Sequence, residues 1–281
     1  MSGIHFLGLE ARLRDRDRSR FAVLPVPLEA TVSWGGGAAR GPQAILEASL
    51  QVELFDGTST PAQAGIFTEP AAAVAGIPVP EALEHIAGRV AAILARGQVP
   101  VVLGGEHTVT LGAVDALIRH RSGGFGVVQF DAHADLRDEY EGTPYSHACV
   151  MRRILERGIP AAQIGVRSLC EEEAGVRVSQ NIHCVDAPAF RGGVCPDSLL
   201  PEDLPRDVYV TFDVDGLDPS VVPATGTPEP GGLGWYAALE ALRKVLSGRR
   251  LLGLDVVELA PVPGLHHADF AAARLIYAVV G

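Results

Sequence analysis

Directly after the apolar run 125–130, the segment FDAHAD sets Asp131, His133 and Asp135 two residues apart. Successive side chains of an extended chain alternate between faces, so these three are expected on one side and Ala132 and Ala134 on the other. TFDVDGLD repeats the device with Asp213 and Asp215, and Gly216 follows where the backbone must turn. A third segment, VVLGGEH, delivers His107 after paired glycines and ahead of the helical stretch TVTLGAVDALIRH. Gathered in one place, four carboxylates repel one another, and keeping them neutral would bury protons at a cost. Cations resolve the conflict, and two divalent ions balance the four aspartates. An oxygen-rich donor set with two imidazoles suits Mn²⁺, while Zn²⁺, Co²⁺, Ni²⁺ and Fe²⁺ are also compatible. A single aspartate at a strand end is usually a cap or turn residue. The metal reading therefore rests on six such residues falling at three strand ends. His5, His85, His120, His183, His266 and His267 lack that context and are expected to be ordinary surface or core groups, with His120 facing a helix C-terminus.

Elements able to position these residues are legible as short branched apolar runs followed by helical patterns, the alternation of parallel β-α units. Strands are expected at 21–27, 99–105, 125–131, 161–167, 207–213 and 251–259. EALEHIAGRVAAILARG and WYAALEALRKVLSG carry apolar stripes stopped by glycine, and a last helix spans 269–280. No linker or composition shift divides the chain, so one three-layer α/β/α domain with a mostly parallel central sheet is expected over 1–281, its site outside the carboxyl ends of the strands. The formal charge of −11 disfavours nucleic acid and anionic lipid as partners. No apolar run reaches the roughly 18 residues of a membrane span. The charged opening MSGIHFLGLEARLRDRDRSR lacks the apolar core of a signal peptide, which points to the cytoplasm. Cys149, Cys170, Cys184 and Cys195 form no C-x-x-C and read as reduced thiols. GGEHTVTLG lacks the G-x-G-x-x-G of a dinucleotide loop, so no nucleotide cofactor is expected.

The segments GGEH (104–107), DAHAD (131–135), SHACVMRR (146–153), FDVDGLDP (212–219), TGTPEPGGL (225–233) and DVVELAP (255–261) resemble the signature blocks of the ureohydrolase family, which holds arginase and agmatinase. PVPLEATVSWGGGAARGPQAILEAS (25–49) is similar to that family's opening segment. The resemblance implies an arginase/deacetylase-type fold and two Mn²⁺ per chain. One ion would be held by the residues matching His107, Asp131, Asp135 and Asp213, the other by those matching His133, Asp131, Asp213 and Asp215. It also implies a homo-oligomer, trimer or hexamer. A guanidinium carbon is a poor electrophile, and two metals can activate a bridging water to attack it. Glu258, at a strand's end, is read as the carboxylate that pairs with the guanidinium. His147, in the loop after DAHAD, is read as the proton donor or relay to the leaving amine.

For the small cationic substrate the resemblance favours agmatine, cleaved to putrescine and urea. Asp138, Glu139 and Glu141, in the stretch LRDEYEGTPYSHAC, are expected to face the substrate tail and repel a carboxylate, although Arg137, Arg152 and Arg153 stand nearby. Other ureohydrolase substrates remain open: arginine, guanidinobutyrate, guanidinopropionate, guanidine and formiminoglutamate. So do a mononuclear zinc deacetylase and a non-catalytic metal-binding scaffold.

Overall fold

A computed structural model describes residues 3–281. Its centre is a sheet of eight strands: β1 (Phe21–Val26), β2 (Ile66–Thr68), β3 (Val99–Gly104), β4 (Gly126–Phe130), β5 (Ala161–Ile164), β6 (His183–Val185), β7 (Asp207–Asp213) and β8 (Arg250–Val257). Their order is β2-β1-β3-β8-β7-β4-β5-β6, and every pairing is parallel. All six expected strands are present. β2 and β6 were not foreseen; they are three-residue edge strands, too short to show a period.

A parallel sheet must be covered on both faces, because each crossover returns over it. The helices are α1 (Gly41–Ser49), α2 (Val79–Leu94), α3 (Val109–His120), α4 (Val150–Glu156), α5 (Glu171–Ser179), α6 (Trp235–Leu246) and α7 (His266–Val280). Buried side chains of α1, α6 and α7 pack with Phe21, Val23, Val101 and Leu103 on one face. Those of α2, α3 and α4 pack with Ala22, Leu24, Val26 and Val102 on the other. The three-layer α/β/α architecture follows. His120 is the last residue of α3, as expected. Among the described residues no helix is long and apolar enough to cross a membrane.

The central four strands, β3, β8, β7 and β4, end side by side. At the end of β3 two backbones nearly touch, since a Cβ on Gly105 would lie 1.9 Å from the Leu28 carbonyl oxygen. No side chain fits there, which accounts for the glycine two residues before His107.

Candidate metal centre

Each of the four central strands contributes to one cluster. His107 follows β3, Asp131 follows β4, Asp213 ends β7 and Glu258 follows β8. The period-two explanation for DAHAD is corrected by the backbone. β4 stops at Phe130, and Asp131 Oδ1 accepts the His133 N–H at 2.6 Å, closing a tight turn. Asp135 then adopts φ 53°, a left-handed conformation uncommon for a residue with a side chain. The second segment closes identically, with Asp213 Oδ1 accepting the Asp215 N–H at 2.8 Å at the start of a 3₁₀ turn. The side chains converge as expected, but through carboxylate-closed turns rather than strand alternation.

All six sequence-predicted ligands are brought together. His107 Nδ1 lies 3.1 Å from Asp131 Oδ2, 2.9 Å from Asp135 Oδ2 and 3.6 Å from Asp213 Oδ2. His133 Nδ1 lies 3.6 Å from Asp131 Oδ1 and 3.0 Å from Asp215 Oδ2. Asp131 thus offers one oxygen to each histidine. Two groups, His107–Asp131–Asp135 and Asp131–His133–Asp215, have donor atoms close enough to surround a cation.

The four aspartates are at most 5% exposed, and among the described residues their only ion-pair partners are the two histidines. His107 Nδ1 has no aligned hydrogen-bond partner despite its three carboxylate neighbours. These donors converge on shared points rather than on one another, which is what a cation requires.

Protonation reports the same demand for positive charge. Burial lowers the affinity of His133 for a proton, yet Asp131 and Asp215 outweigh it and raise its pKa to about 12. Asp135 is pushed up to about 7, by burial first and then by the charge on Asp131. Asp213 is also held well above the usual carboxylate range, by burial and then by Asp215. For Asp131 burial pushes upward, but the close imidazoles of His107 and His133 hold it low.

Behind the cluster lies a second layer that sequence reasoning missed. His107 Nε2 is 2.8 Å from Thr211 Oγ1, whose hydroxyl donates to Asp255 Oδ1 at 2.6 Å. Thr110 and Tyr209 donate their hydroxyls to Asp255 Oδ2 at 2.8 and 2.7 Å. With its hydrogen spent on Asp255, Thr211 accepts from His107 Nε2–H, which leaves Nδ1 to face the carboxylates. On the other side Gln163 Nε2 donates to Gln129 Oε1, and Gln129 Nε2 to Asp131 Oδ2 at 2.8 Å. One signal was readable: Asp255 and Gln129 are polar residues inside otherwise apolar strands.

Glu258 is 8% exposed, adopts φ 63°, and accepts the His107 backbone N–H at 2.6 Å through Oε1. Burial, the larger effect, raises its pKa to about 8 against that hydrogen bond. Glu258 and His147 line, with His107, His133, Asp135, Asp213 and Asp215, a cavity of about 280 Å³. Its outer wall holds Trp34, Arg137, Tyr140, Ser168 and Thr227. The expectation for the loop acids is corrected here. Asp138, Glu139 and Glu141 are exposed and do not line the cavity, and Asp138 pairs with Arg153 Nη2 at 2.6 Å. Arg137 lines it instead, its guanidinium 5.0 Å from the Tyr140 ring centre.

A parallel α/β sheet with an oxygen-rich, cation-demanding centre at its carboxyl edge defines a class of metal-dependent hydrolase folds. The Arginase family model matches residues 19–281, and the chain belongs to that family. It is 40% identical over 275 residues to the N(1)-aminopropylagmatine ureohydrolase of Synechocystis sp., covering 92% of this chain and 87% of that one. It is 36% identical over 276 residues to the agmatinase of Pyrococcus horikoshii, covering 96% and 93%. The crystal structure of the agmatine ureohydrolase of Thermoplasma volcanium superposes with a TM-score of 0.84 at 27% identity, over 100% of this chain and 94% of the other. The protein is therefore an arginase-family ureohydrolase, an enzyme that hydrolyses a guanidino C–N bond.

Proposed function

We propose that this chain, as one catalytic domain over 1–281, cleaves the guanidino group of agmatine or its N1-aminopropyl derivative, releasing urea and the corresponding amine. For agmatine that amine is putrescine. The observation that carries the reading is the set of four buried aspartates whose only ion-pair partners among the described residues are histidines. His107, Asp131, Asp135 and Asp213 would hold one divalent ion, and His133, Asp131, Asp213 and Asp215 the other, with Mn²⁺ the best match to the donors. Bound there, the ions would supply the strong nucleophile that a resonance-stabilised guanidinium carbon needs at neutral pH.

Glu258 docks the guanidinium through a charge-assisted contact, and the arriving cation restores the ionised carboxylate that burial disfavours. Its left-handed backbone turns the side chain out of the strand direction, the kind of local strain that accumulates where a side chain must be aimed. His147 relays a proton, taking it from the attacking water once this has added to the guanidino carbon and giving it to the leaving amine. Burial first, then the charge of His107, lowers its pKa to about 4, so it starts the cycle neutral. The four free thiols fit a cytoplasmic enzyme.

The tail preference rests on likeness to the agmatinase and aminopropylagmatine relatives. A carboxylate-bearing tail, as in arginine, is favoured by one observation, the Arg137 guanidinium on the cavity wall. Urea release from agmatine, N1-aminopropylagmatine, arginine and guanidinobutyrate, each with added Mn²⁺, separates these readings. The expected result is a kcat/KM for one of the two decarboxylated substrates at least about tenfold above arginine, a difference of about 1.4 kcal/mol. Equal or faster arginine hydrolysis overturns the tail assignment and gives Arg137 the role of carboxylate partner.

A further inference from the structure

Between β1 and α1 runs a segment that the reaction chemistry above does not use, and it is held unusually firmly. The Glu29 carboxylate accepts the Gly37 and Ala39 N–H groups at 2.9 and 2.8 Å, and Gly35 packs against the backbone of Gly226. Its inner end is tied to the turn that bears His107. The Glu106 N–H donates to the Leu28 carbonyl, and the fully buried Glu106 carboxylate accepts the Ala30 and Thr31 N–H groups through Oε2, at 2.8 and 2.6 Å. Such over-determination fixes the Thr31 side chain, and that side chain meets His147. Thr31 Oγ1 accepts the His147 backbone N–H at 3.1 Å and lies 3.2 Å from His147 Nδ1, which the Ser146 hydroxyl also approaches at 3.3 Å.

We propose that Thr31, anchored by Glu106, is the positioning residue for His147, holding Nδ1 against the protein so that Nε2 faces the cavity and the leaving amine. The inference rests on the proton-relay role given to His147. A hydroxyl has two lone pairs and one hydrogen. One lone pair takes the His147 backbone N–H and the second is free for Nδ1–H, while the Thr31 backbone N–H is held by Glu106 Oε2. The ring then needs no reorientation when Nε2 gains or loses its proton. Tyr140 stands edge-on to the imidazole at 5.9 Å and restricts it from another side. As with His107 and Thr211, a threonine hydroxyl meets the ring nitrogen turned away from the working side of the histidine. In this case the histidine moves a proton rather than holding an ion.

The test compares Thr31→Val, which keeps the shape and loses the hydroxyl, with Thr31→Ser, which keeps the hydroxyl, in the Mn²⁺-loaded enzyme. Thr31→Val is expected to lower kcat about tenfold or more, with KM within about twofold and metal content and melting temperature unchanged, because a misaimed relay slows the chemical step without altering docking. Thr31→Ser is expected to retain kcat within about twofold. In a His147→Ala background, Thr31→Val should have no further effect on kcat, since the residue it positions is gone. Normal kcat in Thr31→Val, a Thr31→Ser as slow as Thr31→Val, or additive losses in the double variant would each overturn the positioning role. If His147→Ala alone keeps full kcat, the fault lies instead with the relay role of His147.

Discussion

Asp135 and Asp138 are three residues apart in one loop and live under opposite electrostatic conditions. Asp135 is 5% exposed, stands among Asp131, Asp213 and His107, and has no arginine or lysine ion-pair partner among the described residues. The Asp138 side chain is 63% exposed and pairs with Arg153. Its pKa is lowered by that hydrogen bond first and by the guanidinium charge next, whereas that of Asp135 is raised by burial. One acid is satisfied by the folded chain; the other is left waiting for a cation. Acidic residues near a cavity are therefore informative only when they are buried and lack a basic partner, and Asp138, Glu139 and Glu141 fail that criterion although their types and position suggested otherwise.

The strongest way to break this contrast is to remove the shared carboxylate. Asp131→Asn is expected to reduce bound metal at both positions, measured by elemental analysis on Mn²⁺-reconstituted protein, and to abolish detectable turnover, because Asp131 faces both histidines. Full occupancy of two ions in the variant would remove Asp131 from its bridging place.

Metal removal should also invert the pH dependence of stability. In the metal-free protein Asp135, Glu258 and His133 have folded-state pKa values near 7, 8 and 12, all above the ordinary values of 3.8, 4.5 and 6.5. A group raised in the folded state gives stability that is present below its unfolded pKa and is lost as pH rises toward the folded one. The apo melting temperature is thus expected to fall between pH 5 and about 8. Saturating Mn²⁺ should reverse the slope, since the ligands bind as deprotonated groups. Parallel scans in chelator and in metal check it, and equal slopes would mean that the acids are not the ligands.

A smaller effect is expected one layer out. Thr211→Val removes the acceptor for His107 Nε2–H and should weaken Mn²⁺ binding by about 10–100-fold without unfolding the protein, measured by competition with a chromogenic chelator. Unaltered affinity would show that packing alone orients His107. The smallest effect is assigned to Asp138→Asn, Glu139→Gln and Glu141→Gln together. Substrate preference should not change, and the melting temperature should move by less than about 2 °C. A shift in the ratio of agmatine to arginine hydrolysis would return these acids to the substrate.

Much of the site was legible because its chemistry is written at short range. Asp131, His133, Asp135, Asp213 and Asp215 sit in two local motifs, and apolar runs ending in them announce strands whose ends must carry the site. The backbone that gathers them was not legible, since a carboxylate closing its own turn and a continuing strand share the same spacing. Pairs distant in sequence were equally hidden. Thr211 is 104 residues from His107, and Thr31 is 116 from His147, so nothing local joins them. Whether a loop acid turns toward a cavity or toward Arg153 is decided by a helix 15 residues away.

β4 and β7 are neighbours in register, Phe130 opposite Phe212, and after each of these phenylalanines comes the aspartate that closes the same turn. Asp131 and Asp213 therefore begin one strand spacing apart, about 4.8 Å, a length set by peptide hydrogen bonding and independent of any side chain. The sheet acts as a ruler, and the starting separation of the two carboxylates proposed to serve both ions comes from the backbone rather than from any side chain. Core substitutions behind the site can change stability while leaving that separation intact. A single residue inserted between Gly126 and Phe130 would shift one graduation against the other, and the centre would lose its dimension before the fold lost its shape.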